Sequence, residues 1–464
     1  MKRVLLPVVI SLLFSFFLCS EAPKKVAVIG TGYVGSVVAA SLASYNHTVI
    51  CVGRNKEVIA KLKRGEMVLY EPGLAELIET TTHNNSLSFS DDPASAIRLS
   101  DILIIAVGTP MNDDGSANLT DLETVARTIG EHLNGYKIIC IKSTVPCGTA
   151  KRVKALIQEH SRNVYDFDVV SMPDFLREGS AVEDCLHPSR IIIGSDSERP
   201  LPALTALYQP LHTQKVPFVF TTQESAEMIK YAANTFLATK ITFINEIAAL
   251  CEKVGADALE VARGMGLDSR IGAGFLAPGP GYGGGFEKDV EALLYCAQQV
   301  ALELPLVHAT KESNSTHKLR IVKKLADFLE NDFALKKIAI LGLSFKANTD
   351  DIRGSSSLHI LPELIKKGAL VTAYDPKAMA SMQKVFPTEL FPAVSYSNSC
   401  YDALKDAHAL LILTEWEEFR SLDLARIKSL MKQPLLIDAR NMFSTRLLTH
   451  YGFKFSNNGN ATVV

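Results

Sequence analysis

The chain of 464 residues is long enough for two or three domains with substantial cores. Its hydrophobic content of 47%, charged content of 21% and net charge of -2 are those of an ordinary globular protein, with no electrostatic footprint for nucleic acid. The eight cysteines are scattered, without a CxxC pair or metal-ligand spacing, which argues against a disulfide framework and against a metal site.

Lys2 and Arg3 precede an apolar run over residues 4–19, followed by Ser20, Glu21 and Ala22. A basic start, a short apolar stretch and small residues after it describe a secretory signal, and the run is short for a spanning helix, which needs about 20 apolar residues. Pro23 is a poor cleavage context, and Leu18 before Cys19 is poor for lipoprotein processing, so an over-extended gene start is the competing reading. Membrane contact is expected only if residues 4–19 act as an anchor. The chemistry expected of the remainder is cytoplasmic, with export or anchoring left open by residues 1–23.

From Lys24 an apolar strand runs into Gly30-Thr31-Gly32-Tyr33-Val34-Gly35 and then a helix over 36–45, with a second strand over 48–52. GxGxxG between a strand and a helix is a dinucleotide-binding start: the glycines permit the tight turn and let a pyrophosphate approach the helix N-terminus. An NAD site calls for an acidic residue about 20 positions further on, to bind the ribose diol. Here the second strand ends in Gly53-Arg54-Asn55-Lys56. Loss of the acid and gain of two bases favour a 2′-phosphate and hence NADP; the alternatives are a displaced adenosine contact or compensation by Glu57.

Continuous apolar strands follow at 101–107 and 138–142, as in a parallel sheet buried on both faces. They end in Gly108-Thr109-Pro110 and in Ser143-Thr144. A third exit, over 169–179, carries Asp174, Phe175, Leu176, Arg177 and Glu178, and 190–194 reads as another strand. Strand C-termini are where open α/β sheets bind ligands.

Between about 225 and 265 the period becomes helical. Lys230 and Asn234, spaced i, i+4, share one face among apolar neighbours, so a cleft-facing lysine suited to proton transfer or oxyanion stabilisation competes with plain solvated surface. This long helix is a natural spine between two lobes and a natural dimer surface. Beyond it Gly279-Pro280-Gly281-Tyr282-Gly283-Gly284-Gly285 reads as a flexible loop entering a helix, a place to seat a substrate. After Asn331 the strand-helix pattern restarts with a strand at 336–342, a helix at 356–367 and strands at 370–374, 407–414 and 435–438. The expected fold is α/β, with two Rossmann-like doubly wound domains joined by a long central helix and a helical dimerisation region. The expected divisions are a cofactor domain at 24–208, a helical domain at 209–330, a second nucleotide-fold domain at 331–455 and a disordered tail at 456–464.

In this order the motifs resemble the UDP-glucose 6-dehydrogenases and their UDP- and GDP-sugar relatives over nearly the whole length after residue 24. The residues that carry the resemblance include Gly30 to Gly35, Tyr70-Glu71-Pro72-Gly73, Lys142 to Pro146, Phe175 to Gly179, Lys230 to Asn234, Arg270, Gly279 to Gly281, Phe345-Lys346, Thr349 to Arg353 and Thr414-Glu415-Trp416. Tyr70 to Gly73 favour UDP-glucose over UDP-ManNAc or GDP-mannose as substrate.

The resemblance implies oxidation of a sugar C6 alcohol to the acid with two nicotinamide cofactors in turn, by a homodimeric enzyme binding NAD and a UDP-sugar. It assigns catalytic roles to Lys230, Asn234, Asp289, Asp174 and Thr144. Cofactor contacts fall on Gly30, Gly32, Tyr33, Val34, Gly35, Thr109, Thr144, Glu178, Lys288 and Arg353, to which the base-rich end of the second strand adds Arg54. Substrate contacts fall on Phe175, Leu176, Arg177, Phe275, Leu276, Gly279, Gly283, Phe345 and Lys346, and on Arg270 reaching the partner subunit's sugar.

The chain departs from the family pattern Gly-Gly-Ser-Cys-Phe-Pro-Lys-Asp. Gly283-Gly284-Gly285-Phe286-Glu287-Lys288-Asp289 is one residue short, lacks the cysteine that attacks the aldehyde and has Glu for Pro. Asp174 stands for Glu, Met172 for Asn, Gly53 for the ribose-binding acid and Gly354 for a common Glu. Losing a covalent nucleophile costs on the order of 10⁴–10⁶ in turnover in a protease system. The first hydride transfer does not need the thiolate; the second can use a hydrated aldehyde with Asp289 or Glu287 orienting water, or Cys147 as a substitute thiol. The other readings are a nucleotide-sugar-binding pseudoenzyme and a hydroxyacid-type dehydrogenase, the latter disfavoured by the second lobe.

Overall fold

The computed structural model describes residues 23–460, so the signal-like segment lies, apart from Pro23, outside the described residues. The first sheet holds β1 (Lys25–Ile29), β2 (Thr48–Val52), β3 (Leu87–Ser90), β4 (Ile102–Ile105), β5 (Lys137–Ile141), β6 (Phe167–Ser171), β7 (Ile191–Ser195) and β8 (Phe218–Thr221). Their order is β3-β2-β1-β4-β5-β6-β7-β8. All neighbours are parallel except β6 and β7. Runs such as Ile102–Ile105 are buried throughout because helices cover both faces of the sheet and pack two separate apolar cores. The strand order reverses between β1 and β4, which opens a crevice at their C-terminal ends. The first sheet takes in β8, so this lobe runs past the expected boundary at 208.

The helical stretch expected to about 265 is two helices. Gln223–Val254 starts at the Thr222 cap and stops at Gly255, whose left-handed φ of 77° ends the helix without a Cβ penalty. Asp257 then caps Ala258–Gly266. Helices Gly285–Gln299 and Pro305–Phe328 pack on the first, the central helix.

The second sheet, β9 (Lys337–Leu341), β10 (Leu370–Tyr374), β11 (Val394–Tyr396), β12 (Ala409–Ile412), β13 (Leu435–Asp438) and β14 (Lys454–Asn457), has the order β11-β10-β9-β12-β13-β14 and is wholly parallel. It repeats the architecture, with a core on each face and a reversal between β9 and β12. The chain expected to be disordered from 456 is packed as far as Gly459. β14 runs to Asn457, Asn458 donates to Ala439 O (2.7 Å), and Gly459 N donates to Glu252 on the central helix (3.0 Å). Residues 461–464 lie outside the described residues. No helix among the described residues is long and apolar enough to cross a membrane.

Candidate active site

The C-terminal ends of both sheets open onto one cleft of about 1170 Å³. The loops after β1, β4, β5 and β6 line one wall and those after β9, β12 and β13 the other, with the central helix between them.

At the β1 end the glycines have distinct jobs. A Cβ on Gly30 would lie 2.2 Å from Ala106 O, so this glycine lets the turn close against the β4 exit; one on Gly35 would lie 2.0 Å from Gly30 O, so that glycine lets the first helix, Tyr33–Ser44, pack against its strand. Above Gly32 nothing lies within 4 Å of a Cβ position, and this residue caps the helix without any side chain on its first amides. Uncapped N–H groups below open space fit a pyrophosphate. Tyr33 and Val34 line the cleft, and Tyr33 Oη donates to the Asp350 carboxylate of the second lobe. Thr109 and Thr144 face each other across the β4 and β5 exits, with Thr109 Oγ1 donating to Thr144 O at 2.7 Å.

The central helix carries Lys230 and Asn234 on its cleft side. Lys230 Nζ donates to Asp174 O (2.7 Å), stands 3.5 Å from Asp174 Oδ1 and lies over the Phe175 ring. Asn234 donates to Asp289 Oδ2 at 2.6 Å, and Lys288 Nζ pairs with Asp289 Oδ1 at 2.6 Å. Lys230, Asp174 and Asp289 are buried, so their interactions are shielded from bulk water. This group is a desolvated cluster of donors and carboxylates, suited to holding an alcohol oxygen and moving its proton.

Phe345, Lys346, Glu415 and Arg440 form the far end. Arg440 donates to Phe345 O (2.7 Å) and Leu413 O (2.9 Å) and pairs with Glu415 (2.9 Å). Between the ends, Arg353 pairs with Glu178 (2.8 Å) and Asp351 (2.6 Å), tying the lobes together. Burial, then the neighbouring Asp351, pushes the Glu178 carboxyl up. Burial also lifts Asp351, but the Arg353 guanidinium outweighs it and holds that carboxyl low. Arg177 lines the cleft while paired with Asp184 at 2.6 Å. Buried Glu71 accepts from the amides of Gly179 and Ala181 (both 2.7 Å), so the Tyr70-to-Gly73 motif holds the Glu178 loop in place.

The glycine-rich loop is clamped, not flexible. Gly279 N donates to Asn245 and Tyr282 N to Asn314 (both 2.9 Å), Gly284 N donates to Arg353 O (2.7 Å), and His317 Nε2 bonds Gly279 O (2.8 Å). A Cβ on Gly283 would lie 2.4 Å from Gly354 O and one on Gly284 2.8 Å from the Phe345 ring, so missing side chains let the loop lie against the second lobe. Gly279, Gly283 and Phe275 line the cleft, Phe275 with an unusual φ of 64°.

Several expected residues stand elsewhere. Leu276 is buried and does not line the cleft, and Arg270 is a fully solvated side chain paired with Asp268. Arg54 lies outside the cleft, paired with Asp121. Glu287 does not line the cleft, because its carboxylate turns back to pair with Lys318. Cys147 does not line it either: it donates to Glu224 O (3.5 Å), and burial pushes its thiol up to about 11. Cys185 lines the wall but packs into the core of the first lobe, and burial pushes its thiol up as well. Sequence reasoning gave no role to Arg440, Lys142 or Arg190, although each sits at a strand boundary; Arg190 stacks on Phe175 with its guanidinium 3.7 Å from the ring centre.

Three family models of the UDP-glucose/GDP-mannose dehydrogenase family match the chain: the NAD binding domain over residues 24–212, the central domain over 224–316 and the UDP binding domain over 339–445. The chain is 46% identical to the UDP-glucose 6-dehydrogenase TuaD of Bacillus subtilis, over 95% of this chain and 94% of that protein. It is 44% identical to a UDP-glucose 6-dehydrogenase of Rhizobium meliloti, over 94% and 99%. A solved UDP-glucose dehydrogenase from Pyrobaculum islandicum superposes with a TM-score of 0.87 at 32% identity, covering 95% of this chain and 98% of that one.

Proposed function

The chain belongs to the UDP-glucose/GDP-mannose dehydrogenase family, and we propose that it oxidises the C6 alcohol of UDP-glucose with NAD. The observation that carries this reading is that Lys230, Asn234 and Asp289 line one cleft with an uncapped glycine turn and the Phe345-Lys346 end of the second lobe. The glycine turn, Thr109 and Thr144 would hold the cofactor, whose bound nicotinamide supplies the hydride acceptor. Phe345, Lys346 and Arg440 would hold the uridine diphosphate, and the Phe175-to-Arg177 exit the sugar.

As hydride leaves C6, the hydroxyl proton must leave too. The Lys230 ammonium would stabilise the developing alkoxide, and Asp289, aligned by Asn234 and Lys288, would accept the proton through water. General acid-base assistance of this kind contributes about 10²–10⁴-fold. The second step, from aldehyde to acid, adds the oxygen of water and removes a second hydride. With no loop thiol to capture the aldehyde, its hydrate is the species oxidised, oriented by the Asn234 and Asp289 pair, at a rate well below that of a thiol-bearing loop. Asp174, beside Lys230, would assist proton movement.

We further read the central helix as a homodimer surface. Phe236 (65% exposed), Phe243 and Leu250 stand seven residues apart and form an apolar stripe facing solvent. Lys240 from that helix holds Ile271 O at 3.0 Å, and the neighbouring solvated Arg270 would exchange Asp268 for a partner's sugar.

The decisive experiment is anaerobic incubation with UDP-glucose and NAD, counting reduced cofactor per sugar consumed. Two per sugar means acid, one means release of the aldehyde, and none overturns the proposal.

A further inference from the structure

Gly30 N donates to Val52 O at 2.8 Å, so the end of β2 lies beside the glycine turn, where a Rossmann fold meets the adenosine ribose. An acidic side chain at this point selects NAD by accepting from the ribose hydroxyls and repelling a 2′-phosphate, whereas an arginine there accommodates the phosphate. The position is Gly53, which carries no acid and is crowded by two side chains. A Cβ there would lie 2.8 Å from both Oγ1 and Cγ2 of Thr31 and 3.1 Å from Ile59 Cδ1.

The neighbouring carboxylates and amide do not compensate. Glu57 pairs with Lys61 at 3.0 Å, and the Asn55 side chain is occupied in accepting from Glu57 N (3.0 Å) and Val58 N (3.2 Å). Arg54 follows Gly53 with its side chain 83% exposed and its guanidinium held, among the described residues, by the partly exposed carboxylate of Asp121. An exposed pair of this type is weak and readily exchanged, and a guanidinium binds a doubly charged phosphate in bidentate fashion better than a lone carboxylate.

We propose that Gly53 and Arg54 form a subsite for an adenosine 2′-phosphate, so that the chain accepts NADP as well as NAD, with Arg54 exchanging Asp121 for the phosphate. This rests on the nicotinamide-dependent reading above and adds to it the class of cofactor.

The test is calorimetric titration of the full chain with adenosine 2′,5′-bisphosphate and with adenosine 5′-monophosphate, which differ only in the 2′-phosphate. The bisphosphate is expected to bind at least about tenfold tighter, a preference that weakens with salt. Arg54→Ala should abolish the preference, and Asp121→Asn, which releases Arg54, should increase it. Both side chains are on the surface, and circular dichroism verifies that the variants fold. A preference below tenfold, or one that survives Arg54→Ala, overturns the subsite. Because neither probe involves UDP-glucose, a retained preference without cofactor reduction would count against the proposed reaction alone.

Discussion

The ammonium of Lys318, whose side chain is 1% exposed, pairs with the Glu287 carboxylate and donates to Gly354 O at 2.9 Å. One buried cation thus joins the helix after the glycine-rich loop to the second lobe. Gly354 permits this, since a Cβ there would lie 2.6 Å from Glu287 Oε2. Glu287→Ala leaves Lys318 buried without its carboxylate and should cost about 3 kcal/mol, the lower end for a broken buried pair because Glu287 is itself partly exposed. Urea unfolding measures this; a loss under about 0.5 kcal/mol, as at an ordinary surface site, would refute the clamp.

Neighbouring glycines should respond in opposite ways. Gly283→Ala places a methyl 2.4 Å from Gly354 O, so it should destabilise by about 1–3 kcal/mol and raise KM for UDP-glucose. Gly285→Ala meets nothing within 4 Å at the first helical position and should be neutral or slightly stabilising. Replacing Gly285 by Ser-Cys puts a thiol into the same loop and should raise acid formation by at least about tenfold, given the size of nucleophile effects. Parallel melting curves and product analysis of the three variants check these outcomes.

His317 is buried against Gly279 O, and burial lowers its pKa to about 4 from an ordinary 6.5. Its folded pKa is depressed, so between these values the unfolded chain binds a proton that the folded chain does not. The stabilisation is present above pH 6.5 and is lost as pH falls toward 4. Thermal melts across this window should show a steeper fall for the natural chain than for His317→Gln. Equal slopes would contradict a neutral, loop-holding imidazole.

If the apolar stripe on the central helix is a dimer surface, Phe236→Glu with Phe243→Glu should weaken association about 100-fold or more. Sedimentation velocity across a concentration series reads this directly. A chain that is monomeric before substitution defeats the idea.

Lys230→Met removes the ammonium beside Asp174 while keeping the stem, and should lower kcat by about 10²–10⁴-fold with a smaller change in KM for NAD. Steady-state kinetics with each ligand varied distinguishes this from a general loss of structure, which would reduce the active fraction without favouring kcat.

The two sheets were legible before folding because a strand buried on both faces must be continuously apolar, as Ile102–Ile105 and Ala409–Ile412 are. Part of the glycine turn was legible for a similar local reason: Gly35 is dictated by close approach of the helix to Gly30 O at the end of its own strand. Long-range contacts settled what spacing could not. Gly279, Tyr282 and Gly284 of the glycine-rich loop look free in isolation, yet Asn245, Asn314, His317 and Arg353 fix them from distant points of the chain. Glu287 reads as a cleft carboxylate from its place in the loop, but Lys318, 31 positions later, draws it away. Arg440 carried no local signal, because its role depends on β13 ending opposite β9's loop. Local sterics and burial periodicity are properties of adjacent residues, whereas the direction a charged side chain takes depends on which buried partner the assembled lobes bring to it.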